Sequence, residues 1–281
     1  MTVQFFSRLY ISCQTRDGDL DNFFKHENQG CPPSLSQNGR LRLPSKKSDL
    51  LDTLSNITPA STNVSSSYDA MVLDGAALVN MLKPTSTVKT FADYSSEVFL
   101  AHIENKLQRV DVVFDEYIPN SLKATRSKRG GGVRRREQSS TMIPKNWNEF
   151  LRLDANKTEL FGYLAEQVAL VQFRQGSQVI VTKGQQVVCN PLSCDTVGLS
   201  QCNHEEADTR MVVHVNHAVH SGYRRIAVRT VDTDVVVIFT AAVQSLPNTE
   251  IYILFGVGAH YRTMAIHEIS RSLGPPCSDW V

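Results

Sequence analysis

Three short apolar runs in this chain close in the same way, on an aspartate at the point where the chain must turn. Met71-Val72-Leu73 ends in Asp74-Gly75, and Val110, Val112, Val113 and Phe114 lead to Asp115. The run from Arg225 to Arg229 leads to Asp232 and Asp234. Runs this short and rich in branched residues, bounded by turn formers, read as buried strands. Helical spacing fills the gaps between them. AALVNML follows Asp74-Gly75, and Ser95 to Leu107 puts Val98, His102, Ile103 and Leu107 on a common face. Ahead of the third run, Met211, Val212, Val215, Ala218 and Val219 recur at helical spacing until Ser221-Gly222-Tyr223 stops the helix. Strand, helix, strand at these lengths is the parallel crossover unit. The expectation is an α/β fold with a mostly parallel central sheet and helices on both faces. Its strand-end acids then share one side, where an open parallel sheet forms its ligand crevice.

The remaining chain fits around that frame. Residues 1–68 read as an N-terminal extension with a polar linker at Ser61 to Ser67, and Asp19 to Phe24 as a short helix within it. Lys145 to Leu170 is helical with a break near Asp154-Ala155-Asn156. Val179 to Thr182 and Gln186 to Val188 form a hairpin around Lys183-Gly184, Ile251 to Phe255 is a further strand, and His267 to Leu273 a last helix. A formal net charge of +1 over 281 residues excludes a generally basic nucleic-acid coat, so such a partner must meet a local patch. No apolar run approaches a membrane span, and the opening lacks the apolar core of a signal peptide, so an intracellular chain is expected. The six cysteines carry no paired spacing. Cys189, Cys194, Cys202 and His204 hold the residue types of a zinc site without any C-x-x-C, and small core residues are the plainer reading.

Four acidic positions demand a chemical account. Glu206 and Asp208 stand at the mouth of the third helix, and Asp232 and Asp234 just past its strand. Carboxylates brought to one crevice raise one another's pKa values unless a cation neutralises them. Hard divalent ions take such oxygen ligands, and a pair of ions clamps the attacking and leaving oxygens of a phosphodiester displacement. Taken singly, each acid is also a helix cap. Glu206 and Asp208, two apart, do not share a helix face, so both serve one ion pair only if regular helix begins after Glu206. If it begins earlier, Glu205 is the better candidate. Directly after Asp115 comes a basic stretch with Lys123, Arg126, Lys128, Arg129, Arg134, Arg135 and Arg136 around Gly130-Gly131-Gly132. Without a following G-K-[ST] the glycines form no phosphate loop. A basic flap beside acidic ligands suits a phosphate backbone, and a basic run alone also suits nuclear import.

The order VLDG, VVFDEY with its basic extension, EEAD and TVDTD resembles the flap-endonuclease branch of the PIN-like nucleases. The resemblance spans about residues 70–275. It implies that Asp74, Asp115, Glu206, Asp208, Asp232 and Asp234 bind two Mg2+ or Mn2+ ions, and that Lys123 and Arg129 steer the scissile phosphate of DNA or RNA. The expected activity is divalent-metal-dependent phosphodiester hydrolysis by a nuclear protein, with a non-catalytic nucleic-acid-binding module as the alternative. Flap endonucleases add an Asp from a helical segment after the D-x-D, so residues 69–281 are expected to be a nuclease domain incomplete at its C-terminus. TRSKRGGGVRRR, NKTELF, CNHEEADTR and VDTDVVV also resemble an uncharacterised, often multi-copy family of animal proteins, some linked to mobile elements.

Overall fold

The computed structural model describes residues 36–37, 40–41, 46–57, 67–104, 107–117, 138–246 and 248–274. The basic stretch from Lys123 to Arg136, the helix expected at Asp19 to Phe24, and most of the linker expected at Ser61 to Ser67 lie outside them. The chain divides into two compact units, 1–50 and 51–281. In the smaller, Ser36–Gln37 pairs antiparallel with Arg40–Leu41. The larger begins inside helix α1 (Asp49–Ile57), which contributes Leu51 and Leu54 to a buried cluster.

The strands expected from the apolar runs form the centre of the larger unit: β1 (Ala70–Asp74), β2 (Arg109–Val113), β3 (Gln178–Lys183), β4 (Gln186–Asn190), β5 (Arg225–Thr230) and β6 (Glu250–Phe255). A seventh, β7 (Arg262–Ala265), is an edge strand that the sequence reading did not foresee. The sheet order is β4-β3-β2-β1-β5-β6-β7, with the five inner strands parallel and both edge strands antiparallel. The chain therefore winds outward from β1 through β2 to β3, then returns to lay β5 on the other side of β1. That reversal between β1 and β5 opens a crevice at their carboxyl ends.

Helices cover both faces. On one side α2 (Gly75–Met81), the 91–103 helix α3, α4 (Trp147–Phe150) and α5 (Asp154–Leu170) pack on Leu73, Val110, Val112, Val179 and Val181. On the other, α6 (Ala207–His220), α7 (Thr233–Ala242) and α8 (Ile266–Leu273) cover Val72, Val113, Ile226, Val228 and Ile253. Strand alternation then assigns Asp74, Asp111, Asp115 and Thr230 to the α6 side, since they share parity with Val72, Val113 and Val228. A close approach fixes Gly75: a Cβ there would stand 2.3 Å from the Phe114 ring, which stacks on Phe161 at 4.2 Å. Helix α6 ends as expected. Gly222, at φ +96°, donates to Val219 O and Tyr223 to Ala218 O, the paired bonds of a Schellman cap.

Helix α3 departs from its expected face. Its middle, Tyr94–Leu100, is π-wound, and the helix ends at Ile103, short of Leu107. With bonds five residues apart, Tyr94 and Phe99 come into line, as do Ser95 and Leu100. These are buried together with Ile103, whereas His102 is exposed and Val98 only half-buried. A 3.6-residue period cannot find a face laid out at a wider one.

The second departure is a charged core on the α6 side. Arg109 and Asp111, two apart on β2, are both buried and form two hydrogen bonds, Nε to Oδ1 at 2.7 Å and Nη2 to Oδ2 at 2.8 Å. His214 of α6, fully buried, donates from Nδ1 to Asp111 Oδ2 at 2.7 Å, and Arg109 Nη1 donates to His217 Nδ1 at 3.0 Å. Burial alone would raise the Asp111 carboxyl, but these bonds from Arg109 and His214 hold it below the ordinary range. A buried ion pair adds little net stability, yet losing one partner strands the other charge, at roughly 3–5 kcal/mol. Asp111→Ala is expected to cost about that much in urea unfolding. Asp234→Asn, at an exposed position, is expected to stay within about 1 kcal/mol. Equal stabilities would show that the Arg109 charge is reached by solvent.

Candidate active site

Three carboxylates at the crevice, Asp74, Asp115 and Asp232, are held by the start of a helix. Asp74, the last residue of β1, is the N-cap of α2: its Oδ1 accepts from Ala77 N at 2.9 Å. Its Oδ2 accepts from the Thr230 hydroxyl of β5 at 3.1 Å. That bond crosses the point where the strand order reverses. Thr230 Oγ1 in turn accepts from Asp232 N at 3.1 Å, and Asp232 caps α7 by accepting from Asp234 N at 2.9 Å. Asp115, just past β2, reaches a helix 92 residues away: its Oδ1 accepts from Ala207 N, the first residue of α6, at 2.9 Å. A second bond, Glu116 N to Glu205 O at 2.9 Å, fixes the approach to α6 beside the end of β2.

Glu206 has extended backbone, φ −87° and ψ 134°, and regular helix begins at Ala207. The condition under which Glu206 and Asp208 can act on one site, a helix that begins after Glu206, is therefore met. Asp208, in the first turn of α6, is half-buried and has no hydrogen-bonding partner among the described residues. Burial pushes its carboxyl up to about 7, with further contributions from Asp232, Asp74, Asp115 and Glu206. Asp74 is pushed up to about 6, by burial first and by Asp115 and Asp232 besides, against the bonds from Ala77 and Thr230. Five of the six expected acids thus act on one another. Asp234 is exposed in the first turn of α7 and is not among the main charges on Asp208 or Asp74.

Two buried groups here were not singled out from the sequence. Thr230 is read easily in retrospect, as the residue that starts TVDTD. Arg210 is not: a charged side chain on the α6 face is buried, and its guanidinium donates to Gly184 O and, at 3.1 Å, to Gln186 O in the β3–β4 turn. The helix of Glu206 and Asp208 is thereby fastened to that hairpin.

The donors at the crevice are carboxylate oxygens, the chemistry a hard divalent ion requires. Their spacing is another matter. Among the described residues no three His, Cys, Asp or Glu side chains stand close enough together to hold an ion. An ion here would have to draw the acids inward. Cys189, Cys194 and Cys202 are free and half-buried rather than core residues, and His204 Nδ1 is bonded to Thr209 Oγ1 at 2.8 Å. Lys123, Arg126, Lys128, Arg129, Arg134, Arg135 and Arg136 lie outside the described residues. Among the described residues no helix is long and apolar enough to cross a membrane. Compared with known proteins, the sequence matches no family model and no curated relative.

The raised carboxyls have a consequence for stability. Between about pH 4 and pH 7 the folded chain holds protons at Asp74 and Asp208 that the unfolded chain has released. Stability contributed by these groups therefore falls as pH rises through that window and levels off above it. Water reaching the half-buried Asp208 reduces the effect. Asp208→Asn is expected to melt several degrees above the parent at pH 7.5, with the gain shrinking steadily toward pH 4. A gain independent of pH would show that Asp208 is not held protonated in the folded chain.

Proposed function

We propose that this chain hydrolyses phosphodiester bonds of DNA or RNA with divalent metal ions, as a nuclease resembling the flap-endonuclease branch of the PIN-like fold. One observation carries the reading: at the reversal point of a parallel sheet, burial and four other carboxylates push the Asp208 carboxyl up to about 7. A protein gains nothing in stability from such crowding, so the arrangement asks for a cation. Glu206, Asp208 and Asp232 are the residues that would hold it, with Asp234 joining them by resemblance. Bound Mg2+ or Mn2+ supplies an activated water and neutralises charge on the phosphate oxygens. The chain's own part is positional. Asp74 and Asp115 hold the starts of α2 and α6 at the crevice, and Thr230 ties Asp74 to the α7 turn. Asp208 would hold the ion as a carboxylate, without the proton that burial and its acidic neighbours favour. The basic stretch from Lys123 to Arg136, including Arg126, Lys128 and Arg129, serves to hold the strand, and a nuclear location accords with it.

A second reading has its own support. Asp74 already uses both oxygens in hydrogen bonds, and Asp115 and Asp232 each cap a helix. A nucleic-acid-binding module without catalysis would need the acids for no more than that.

Titration with Mn2+ separates the two. The parent is expected to bind the ion, and Asp232→Asn with Asp234→Asn to lose binding while keeping its circular dichroism spectrum. A parent that binds no Mn2+, together with a double variant that unfolds, would leave the acids as caps and the module reading in place. For the basic stretch, replacing Arg134, Arg135 and Arg136 with Gln is expected to weaken binding alike across sequences. It should also flatten the salt dependence by up to roughly three phosphate contacts. An unchanged slope would remove that stretch from the interface.

A further inference from the structure

An open cleft of about 580 Å³ lies beyond the far end of α2, between the 83–89 loop and the 142–148 segment. Its walls are joined by backbone bonds. Phe91 N donates to Thr141 O at 3.0 Å and Ile143 N to Lys89 O at 2.8 Å, and Thr90 bridges to Met142. Trp147 Nε1 donates to Val79 O at 3.1 Å, fastening the 142–148 side to the last turn of α2. The cleft is therefore preformed rather than a gap between loose loops.

Its charge is one-sided. Lys83, Lys89 and Lys145 line it, all three exposed, and no Asp or Glu does. Lys89 Nζ donates to Ser86 O at 2.6 Å, and the Asp93 carboxylate, outside the lining, accepts from the Lys89 backbone N at 3.1 Å; none of the three ammonium groups has a carboxylate partner among the described residues. Thr85, Ser86 and Asn146 add hydroxyl and amide groups to the lining. Three ammonium groups around one concavity repel each other, and a polyanion that releases its counterions there removes the repulsion. The lysines are exposed, and no buried cation lines the cleft. That arrangement suits successive phosphates of a chain better than one bound phosphate group.

Position gives the cleft its meaning. Helix α2 starts on Asp74 and its last turn meets the cleft. Helix α2 has seven residues, so at about 1.5 Å each its far end stands roughly 10 Å along the axis from its start at Asp74. We propose that this cleft is a track for single-stranded nucleic acid, holding the backbone a few nucleotides from the carboxylates at the other end of α2. The inference rests on the nucleic-acid reading above and assigns it a second contact surface, separate from the Lys123 to Arg136 stretch.

Binding of a fluorescein-labelled single-stranded oligonucleotide, followed by anisotropy over a salt series, tests this. The variant Lys83→Gln, Lys89→Gln, Lys145→Gln is expected to bind about tenfold more weakly at low salt. The slope of log K against log salt should fall by about 2, because three phosphates of the single strand are no longer neutralised. Its thermal melt should match the parent's, because all three side chains are exposed. Lys183→Gln, which removes a lysine paired with Glu166 at 2.6 Å, controls for a general charge effect and should leave the slope unchanged. An unchanged slope in the triple variant overturns the track, whatever becomes of metal binding or cleavage. Equally effective displacement of the oligonucleotide by polyglutamate at matched charge also overturns it, in favour of an acidic peptide partner. A parent that binds neither DNA nor RNA at low salt fails the nucleic-acid reading itself.

Discussion

A parallel strand must hand its chain to a helix, and a helix begins with backbone N–H groups that have no partner of their own. In this protein carboxylates answer that requirement at the crevice. Asp74 does so for α2, Asp115 for α6 and Asp232 for α7. The same requirement gathers three helix N-termini and their positive dipole ends around the acids, which tempers the repulsion among them. Asp208 gains least from this: it is partly shielded from water and has no donor of its own among the described residues. So the structural use of the acids and their chemical potential are not rival explanations of the same residues. Capping places three of the carboxylates; burial, with crowding added, makes Asp208 costly to ionise.

Much of the frame was legible. The strand runs, the Schellman stop at Gly222, the break before Asp154 and the hairpin at Gly184 all follow from residue type and spacing, because local rules decide them. What escaped notice was non-local or aperiodic. The π-wound stretch hides the true buried face of α3 from any search at helical period. Arg109, Asp111, Arg210 and His214 sit at buried positions where charge ordinarily argues for exposure; Arg109 and Asp111 pair on one strand, whereas His214 and Arg210 find their partners far away in the chain. Asp111 and His214 are 103 residues apart in sequence. Strand β7 was missed because Arg262 and Thr263 give it no apolar run; it pairs by lying against β6.

The acids were legible as a set, but their arrangement was not. The sequence left the start of α6 open, and with it the choice between Glu205 and Glu206. The extended backbone at Glu206 puts the helix start at Ala207, and the Asp115 bond to Ala207 N is the physical reason for that boundary. An external carboxylate at the first N–H group of the helix holds it to its start. Asp232 and Asp234 likewise look equivalent in TVDTD until the turn that joins them is seen, with Asp232 as the cap and Asp234 in the turn it caps.

The grip of Arg210 on the β3–β4 turn changes what an edge hairpin is in this molecule. Such a hairpin, paired on one side only, is ordinarily among the softest parts of a sheet. Here its two turn carbonyls are fastened to the first coil of the helix that bears Glu206 and Asp208. Bending the hairpin tilts that helix start, and a rigid hairpin steadies it. The outer rim of the sheet and the start of the helix at the acidic crevice are thus joined through one buried guanidinium.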